Sequence, residues 1–196
     1  MPIKESASQS PNQRQEEIHF AIGTSTLGSI LAAKSQIGLL AIFLGHSEHE
    51  LQRELQKRFP GALLVEGSEP VKADLDQVID YIEGRALQLD VLLDKRGTDF
   101  QRRVWEALLE IPRGSTMSYA AIAQKIGAPK ASRAVALACA ANPLAIVIPC
   151  HRVIKSDGSL SGYEWGIERK KALLRQELEA PPLKGVVVVD EEGFKI

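Results

Sequence analysis

Between residues 18 and 44 the apolar positions fall in three short blocks, Ile18 to Ile22, Gly28 to Ala33 and Gly38 to Leu44, each bounded by Gly, Ser or Thr. Blocks of this length with turn residues between them predict two or three antiparallel strands. The period then changes. Leu51, Leu55 and Phe59 recur every fourth residue through a charged stretch, which predicts an amphipathic helix over 48–59, stopped by Pro60-Gly61. Leu75, Val78, Ile79 and Ile82 predict a second helix over 71–83 ended by Gly84, and Ala86 to Leu93 reads as a strand or extended connector.

From residue 98 the pattern is helical. Thr98 is a candidate N-cap for a helix whose apolar face is Phe100, Val104, Leu108 and Leu109, with Trp105 in the same core and a stop at Ile111-Pro112. Ser118 is the expected cap of a helix over 119–126, Gly127 to Lys130 make a turn, and Ser132 is the expected cap of a second helix from Arg133 to about Ala141. That second helix is built almost wholly from small apolar residues, with Arg133 its one long polar side chain. A helix that reads bases from the major groove carries Arg, Asn and Gln along its exposed face, so this one suits close approach without sequence reading, or else is a plain core helix.

The chain is expected to divide on this pattern into a disordered tail over 1–15, an N-terminal α/β lobe over 16–92, a mainly helical lobe over 93–178 and a second tail over 179–196, in which Val186 to Val189 is a short β-prone run. The fold class is α/β in the mixed, α+β sense. With 196 residues and 44% hydrophobic composition the chain can bury one good core or two small lobes. No apolar run reaches the ~20 residues of a membrane span, and the Ser-, Gln- and Asn-rich start lacks the apolar centre of a signal peptide, so a cytoplasmic protein without membrane contact is expected.

The net charge of −1 hides an asymmetry: residues 95–175 hold 14 Lys or Arg against 6 Asp or Glu, while the remainder holds 10 against 19. A basic lobe beside an acidic one points to a polyanion as partner of the former. The two cysteines, Cys139 and Cys150, form no disulfide framework and offer no Cys/His metal spacing. His46 and His49, three residues apart in a polar stretch, read as solvated surface groups, so no metal and no cofactor are expected.

Chemistry concentrates at Ile146 to Val153. Ile146, Val147 and Ile148 form an apolar run too short for a helix, Pro149 stops further pairing, and Cys150 is presented at a bend with His151 and Arg152 behind it. A thiol with a pKa near ~8.5 is a weak nucleophile at neutral pH unless a base takes its proton. Sequence neighbours rarely face one another, so His151 is expected to act on Cys150 through a water or a folded-back turn. Taken alone, the pair reads rather as a buried, inert cysteine in a core turn beside a surface histidine.

The ordered set Pro149-Cys150-His151-Arg152-Val153, Gly158, Gly162-Tyr163, Gly166, Leu173-Leu174 and Glu177 resembles the active-site signature of the O6-alkylguanine-DNA alkyltransferases, or methylated-DNA-protein-cysteine methyltransferases. The flanking Ala-Cys-Ala-Ala-Asn and Gly-Tyr-Glu-Trp-Gly are most similar to the Ada-type branch. The resemblance runs over roughly residues 16–178 and is strongest over 95–177. It implies a ribonuclease H-like N-terminal lobe, a winged-helix-like C-terminal lobe, and irreversible single-turnover transfer of a methyl or other alkyl group from O6-alkylguanine to Cys150, with activity on O4-alkylthymine left open. The partner it implies is double-stranded DNA, bound through the minor groove by a monomer, with the lesion nucleotide flipped out of the stack.

Residue by residue, the resemblance makes Cys150 the acceptor, His151 the base and Glu177 the carboxylate that holds the imidazole. Arg133 fills the place of the flipped base. Tyr119 pushes the adjoining phosphate and donates to the guanine ring. Ser132, Ala134 and Ala138 belong to the DNA-facing helix, Asn142 ties that helix to the active-site turn, and Cys139, Val153, Tyr163 and Glu164 line the guanine pocket. The backbone of Glu164 is the expected contributor, while its carboxylate and Trp165 are expected to narrow the tolerated alkyl groups. Without the resemblance, Arg133 reads as a phosphate clamp, Tyr119 as a core-edge aromatic, Asn142 as a helix C-cap, Cys139 as packing and Glu177 as an exposed helix residue.

The alternative function is a non-catalytic helix-turn-helix module that binds alkylated DNA. The relatives of that kind replace the acceptor cysteine, which this chain keeps. A transcriptional regulator of the Ada kind would need a cysteine-rich zinc part and a separate helix-turn-helix, for which residues 1–17 are too short. Nothing in the pattern argues for the oxyanion hole of a cysteine hydrolase.

Overall fold

Strands β1 (Glu17–Ser25), β2 (Gly28–Lys34) and β3 (Leu39–Gly45) form an antiparallel meander. They stand in a computed structural model that describes residues 15–86, 88–179 and 187–189. The β1–β2 turn needs glycine at 28, because its φ of 102° is strained for other residues and a Cβ there would lie 2.9 Å from the Gly45 carbonyl. Helix α1 (Glu48–Arg58) starts where Ser47 accepts a hydrogen bond from the Glu50 amide, and it buries Leu51 and Leu55 as its period predicts. Strand β4 (Leu63–Glu66), which the sequence pattern did not reveal, lies parallel to β1 and completes a sheet of order β3-β2-β1-β4. Helix α2 (Glu69–Ile82) starts two residues earlier than its apolar period suggests, because Pro70 fits the first turn, where no amide donor is needed.

Strand β5 (Asp90–Leu92) is the extended connector, and Leu93 and Asp94 tie it to Leu39 at the start of β3. Helix α3 (Asp99–Leu109) has the expected Thr98 cap, strengthened into a capping box by Gln101, and Trp105 is buried in its core face. A short strand β6 (Met117–Ser118) leads into helix α4 (Tyr119–Lys125), capped by Ser118 as expected. Gly127, at φ 72°, then turns the chain.

Helix α5 (Ser132–Ala140) corrects one expectation. Its N-cap is Ala131, whose carbonyl accepts from the Val135 amide at 2.9 Å, so Ser132 sits inside the first turn and caps nothing. The turn closes one residue early, through the Ala131 amide to the Ala128 carbonyl. Strand β7 (Val153–Ile154) pairs parallel with β6, helix α6 (Ile167–Glu179) follows, and strand β8 (Val187–Val189) pairs parallel with β5. Among the described residues no helix is long and apolar enough to cross a membrane.

Strand β3 is buried at every position and serves both halves of the fold. One edge pairs with β2. On the other, the Ile42 amide donates to Pro143 (2.8 Å) and its carbonyl accepts from Ala145 (3.2 Å), so the edge strand of the first half's sheet holds the turn that precedes Cys150.

Candidate active site

Leu144 to Ile148 are fully buried, which fixes this turn by packing as well as by hydrogen bonds. Two tight contacts, Val147 amide to Ala145 carbonyl and Cys150 amide to Ile148 carbonyl, both at 2.8 Å, fold it sharply. Ile146 pays for the fold with a φ of 73°, a left-handed conformation rare for a β-branched residue. The bend expected at Pro149 is present, and it opens a short 3-10 helix, Cys150–Arg152, that carries all three polar residues of the motif.

Asn142 locks this turn to α5. Its Oδ1 accepts from the Leu144 amide (2.9 Å), and its Nδ2 donates to the Ile148 carbonyl (2.9 Å) and to Cys150 Sγ (3.3 Å). The backbone amide of Leu144 needs an acceptor, which sets the orientation of the side-chain amide. The C-cap of α5 is Ala141, so Asn142 is the linking residue one position beyond the cap.

His151 is fully buried, and its Nε2 lies 2.8 Å from Glu177 Oε1. Glu177, on α6, also receives Arg152 Nε (3.0 Å to Oε2) and Nη2 (2.8 Å to Oε1), and the Gly114 amide at 3.3 Å. Burial disfavours the Glu177 charge, but the hydrogen bonds and charges of His151 and Arg152 hold its pKa down at about 2. Burial pulls the His151 imidazole below its ordinary range despite the Glu177 partner. The ring is therefore neutral near pH 7, with the proton on the nitrogen that faces the carboxylate. Its Nδ1 is buried without a partner among the described residues.

Cys150 lines a cavity of about 410 Å³ together with Tyr119, Ala136, Cys139, Ala140, Gly162, Tyr163 and Glu164. Burial pushes its thiol up to about 11, against the downward pull of the Asn142 hydrogen bond and the Lys170 charge. Lys170 is fully buried on α6 and donates to the Val153 carbonyl (2.6 Å) and Ser161 Oγ (3.4 Å), while Ser161 hydrogen-bonds the Tyr119 hydroxyl. Burial lowers its pKa and raises that of Tyr119. The Tyr163 hydroxyl is buried without a partner among the described residues, and its ring stands edge-on to His151 at 6.5 Å.

Three expected site residues are placed elsewhere. Val153 is wholly buried behind the cavity and contributes its carbonyl to Lys170 rather than a wall. Ala138 faces the core, where its carbonyl accepts from the Trp105 indole at 2.9 Å, because a helix packed on α3 must bury one side. Trp165 turns from the cysteine and stacks on Phe43 of β3 at 5.1 Å. It lines a separate cleft of about 600 Å³ against α1, which is larger than the cysteine cavity and holds no nucleophile. Arg133 and Leu137 are exposed on α5, four residues apart on one face, with Ser132 and Ala134 partly exposed beside them.

Arg152, Lys170, Ser161 and Tyr81 were missed as site residues. Arg152 stood in the motif with no role assigned. Lys170 had a legible signal, since Lys170, Leu173 and Glu177 share one face of α6 and are all buried. Tyr81 lies on the apolar face of α2, and nothing local marks that its hydroxyl accepts from Arg152 Nη2 at 3.0 Å.

Comparison with known proteins fits this geometry. The family model for the 6-O-methylguanine DNA methyltransferase DNA binding domain matches residues 99–179. The chain is 48% identical over 162 residues to the bifunctional transcriptional activator/DNA repair enzyme Ada of Escherichia coli, covering 83% of this chain and 46% of Ada. It therefore spans just under half of that relative. It is 44% identical over 165 residues to a methylated-DNA-protein-cysteine methyltransferase of Mycobacterium tuberculosis, covering 84% of this chain and 95% of that one. Among solved structures, Mycobacterium tuberculosis OGT in complex with DNA superimposes with a TM-score of 0.70 at 41% identity, covering 83% of this chain and 95% of that one. The O6-methylguanine-DNA methyltransferase of Pyrococcus kodakaraensis gives a TM-score of 0.61 at 27% identity, covering 81% and 98%.

Proposed function

The chain belongs to the methylated-DNA-protein-cysteine methyltransferase family, and on that premise we propose that Cys150 is its alkyl acceptor in direct-reversal repair of DNA. The observation that carries this reading is that one short turn holds Cys150, hydrogen-bonded by Asn142, beside His151, hydrogen-bonded to Glu177 of α6, with the sulfur at the wall of a cavity.

The chemistry follows from the groups. Neutral His151, with Nε2–H donated to Glu177, keeps the Nδ1 lone pair free to take the Cys150 proton through a water molecule, and Glu177 stabilises the imidazolium that results. Asn142 and Lys170 offset the cost of a buried thiolate. The thiolate attacks the alkyl carbon of O6-alkylguanine in line, the carbon–O6 bond breaks, and the guanine takes up a proton as it leaves. Tyr119, which lines the cavity, donates to that guanine. The product is a thioether, so each molecule reacts once, without a cofactor.

The DNA contact proposed is the minor groove, approached by the slim face of α5. Arg133 enters the stack in place of the flipped nucleotide, and Ser132 and Ala134 lie against the backbone. Unstacking costs a few kcal/mol, and an inserted guanidinium recovers part of it. A monomer suffices for this geometry. A reducing, cytoplasmic setting suits a protein whose two cysteines are both free thiols.

Intact-protein mass after incubation with a duplex bearing one O6-methylguanine tests the reading. The expected result is one methyl-sized gain per molecule, mapped to Cys150 and lost in Cys150→Ser. Binding of the lesion duplex with no mass change would instead favour the non-catalytic lesion-binding module.

A further inference from the structure

Glu164 is the one carboxylate among the described residues that line the Cys150 cavity, and it also forms part of the wall of the neighbouring cleft. Its counter-charge is weak. Arg58 Nη2 stands 4.0 Å from Glu164 but 3.3 Å from Glu54, so the guanidinium is committed mainly to its own helix. The loop that bears Glu164 is nevertheless held in place. The next residue, Trp165, is stacked on Phe43, Arg58 lies over the same Phe43 ring at 5.2 Å, and Arg169 grips the Trp165 carbonyl (2.8 Å) and the Gly45 carbonyl (2.7 Å).

The cavity is therefore electrically lopsided. Lys170 presents a buried positive charge behind it, held by a carbonyl and a hydroxyl. Glu164 presents a negative one in the lining itself. The two act on the Cys150 thiol with opposite sign, Lys170 favouring the thiolate and Glu164 opposing it. An adduct carbon must come to rest beside Cys150, so any charge it carries is brought close to Glu164.

We propose that Glu164 is a charge filter on the substrate: neutral O6-alkyl groups are accepted by the Cys150 cavity, and anionic ones of the carboxymethyl class are held back by its carboxylate. This deepens the functional reading above and rests on it. The transfer is the same for either adduct. The sulfur–carbon bond forms as the carbon–O6 bond breaks, the electron pair goes to the guanine, and the guanine takes the proton; a carboxymethyl group leaves its own carboxylate on the thioether. Two like unit charges in one partly solvated cavity, screened further by Arg58, correspond to roughly a tenfold penalty in rate.

The test is a set of single-turnover rates, read by protein mass, on duplexes bearing O6-methylguanine or O6-carboxymethylguanine. In Glu164→Gln, transfer from the carboxymethyl adduct is expected to rise about tenfold more than transfer from the methyl adduct. Glu164→Asp should keep the original preference, since it keeps the charge. An unchanged ratio in Glu164→Gln, even with both rates raised equally, would overturn the filter, because Glu164 would then act on the thiol or on DNA binding alone. Loss of the preference in Glu164→Asp as well would make shape the cause, and would also overturn it. Absence of transfer from O6-methylguanine by the unaltered protein is a different failure, that of the functional reading beneath.

Discussion

The Tyr81 hydroxyl accepts a hydrogen bond from Arg152 Nη2 at 3.0 Å, joining a helix of the first half of the chain to the residue two places after Cys150. Arg152 is itself almost wholly buried and divides its guanidinium among Tyr81, the Ile111 carbonyl (2.6 Å) and Glu177. The first lobe therefore reaches the chemistry through one polar contact as well as through β3. Arg113 stacks over the Tyr81 ring at 4.9 Å and confines it from the other side.

Tyr81→Phe keeps the ring and removes only the acceptor. A lost hydrogen bond to a charged, buried group costs about 1.5–3 kcal/mol. Urea unfolding should show that loss in a single transition shared by both lobes. Two separated transitions would mean that the contact does not couple them.

Glu177→Gln leaves Arg152 without its counter-charge, and breaking a buried pair from one side costs about 3–5 kcal/mol. The pH dependence has a definite sign. The Glu177 pKa is depressed on folding to about 2, so its stabilisation is present above its unfolded value of about 4.3 and is lost as pH falls toward 2. His151, whose pKa burial lowers, adds an earlier loss, because the unfolded chain takes up a proton below about 6.5 that the folded ring refuses. Thermal melts from pH 7 to pH 3 should fall in both ranges for the unaltered protein. In Glu177→Gln the lower step should flatten.

Asn142→Ala removes the one side-chain donor on Cys150 Sγ among the described residues. The thiol, already at about 11, should move further up. Alkylation by iodoacetamide should slow by about tenfold, the equivalent of one lost hydrogen bond to a charged group. Unchanged thiol reactivity would assign Asn142 to holding the turn alone.

Ile146 offers a test of backbone strain. Alanine is ordinarily more stable than glycine by about 0.5–1 kcal/mol within regular structure. At a φ of 73° the order should reverse, since a left-handed L-residue costs about 1–2 kcal/mol. Ile146→Gly is therefore expected to melt above Ile146→Ala, although both lose the packing of a fully buried side chain.

The sequence made legible what depends on local period and local caps. The three meander strands, α1, α2, the Thr98 and Ser118 caps and the bend before Cys150 all follow from spacing and turn chemistry. Strand β4 escaped because a four-residue parallel strand beside β1 has neither alternation nor a hairpin signal, and its place is set by the helix that precedes it. The place of Trp165 is not legible locally, because its partner, Phe43, lies far away in sequence, and stacking on that distant ring outweighs proximity to the motif. Lys170 was passed over beside Lys171, since composition alone does not tell a buried lysine from a solvated one. The contact of His151 with Glu177, by contrast, was anticipated from resemblance, and its 2.8 Å geometry explains why two residues so far apart in the chain act as one group.

The pairing of Ile42 with Pro143 and Ala145 also bears on when the thiol acquires its surroundings. During synthesis Ile42 leaves the ribosome long before Cys150, and the meander can be complete while the second lobe is still being made. Until Leu144 docks on that finished edge, no turn exists to set the sulfur beside Asn142 and no pocket exists to enclose it. Before that docking the Cys150 thiol is an ordinary exposed one with a pKa near ~8.5, and its burial, its Asn142 donor and its pocket arrive together when the second half of the chain meets the meander.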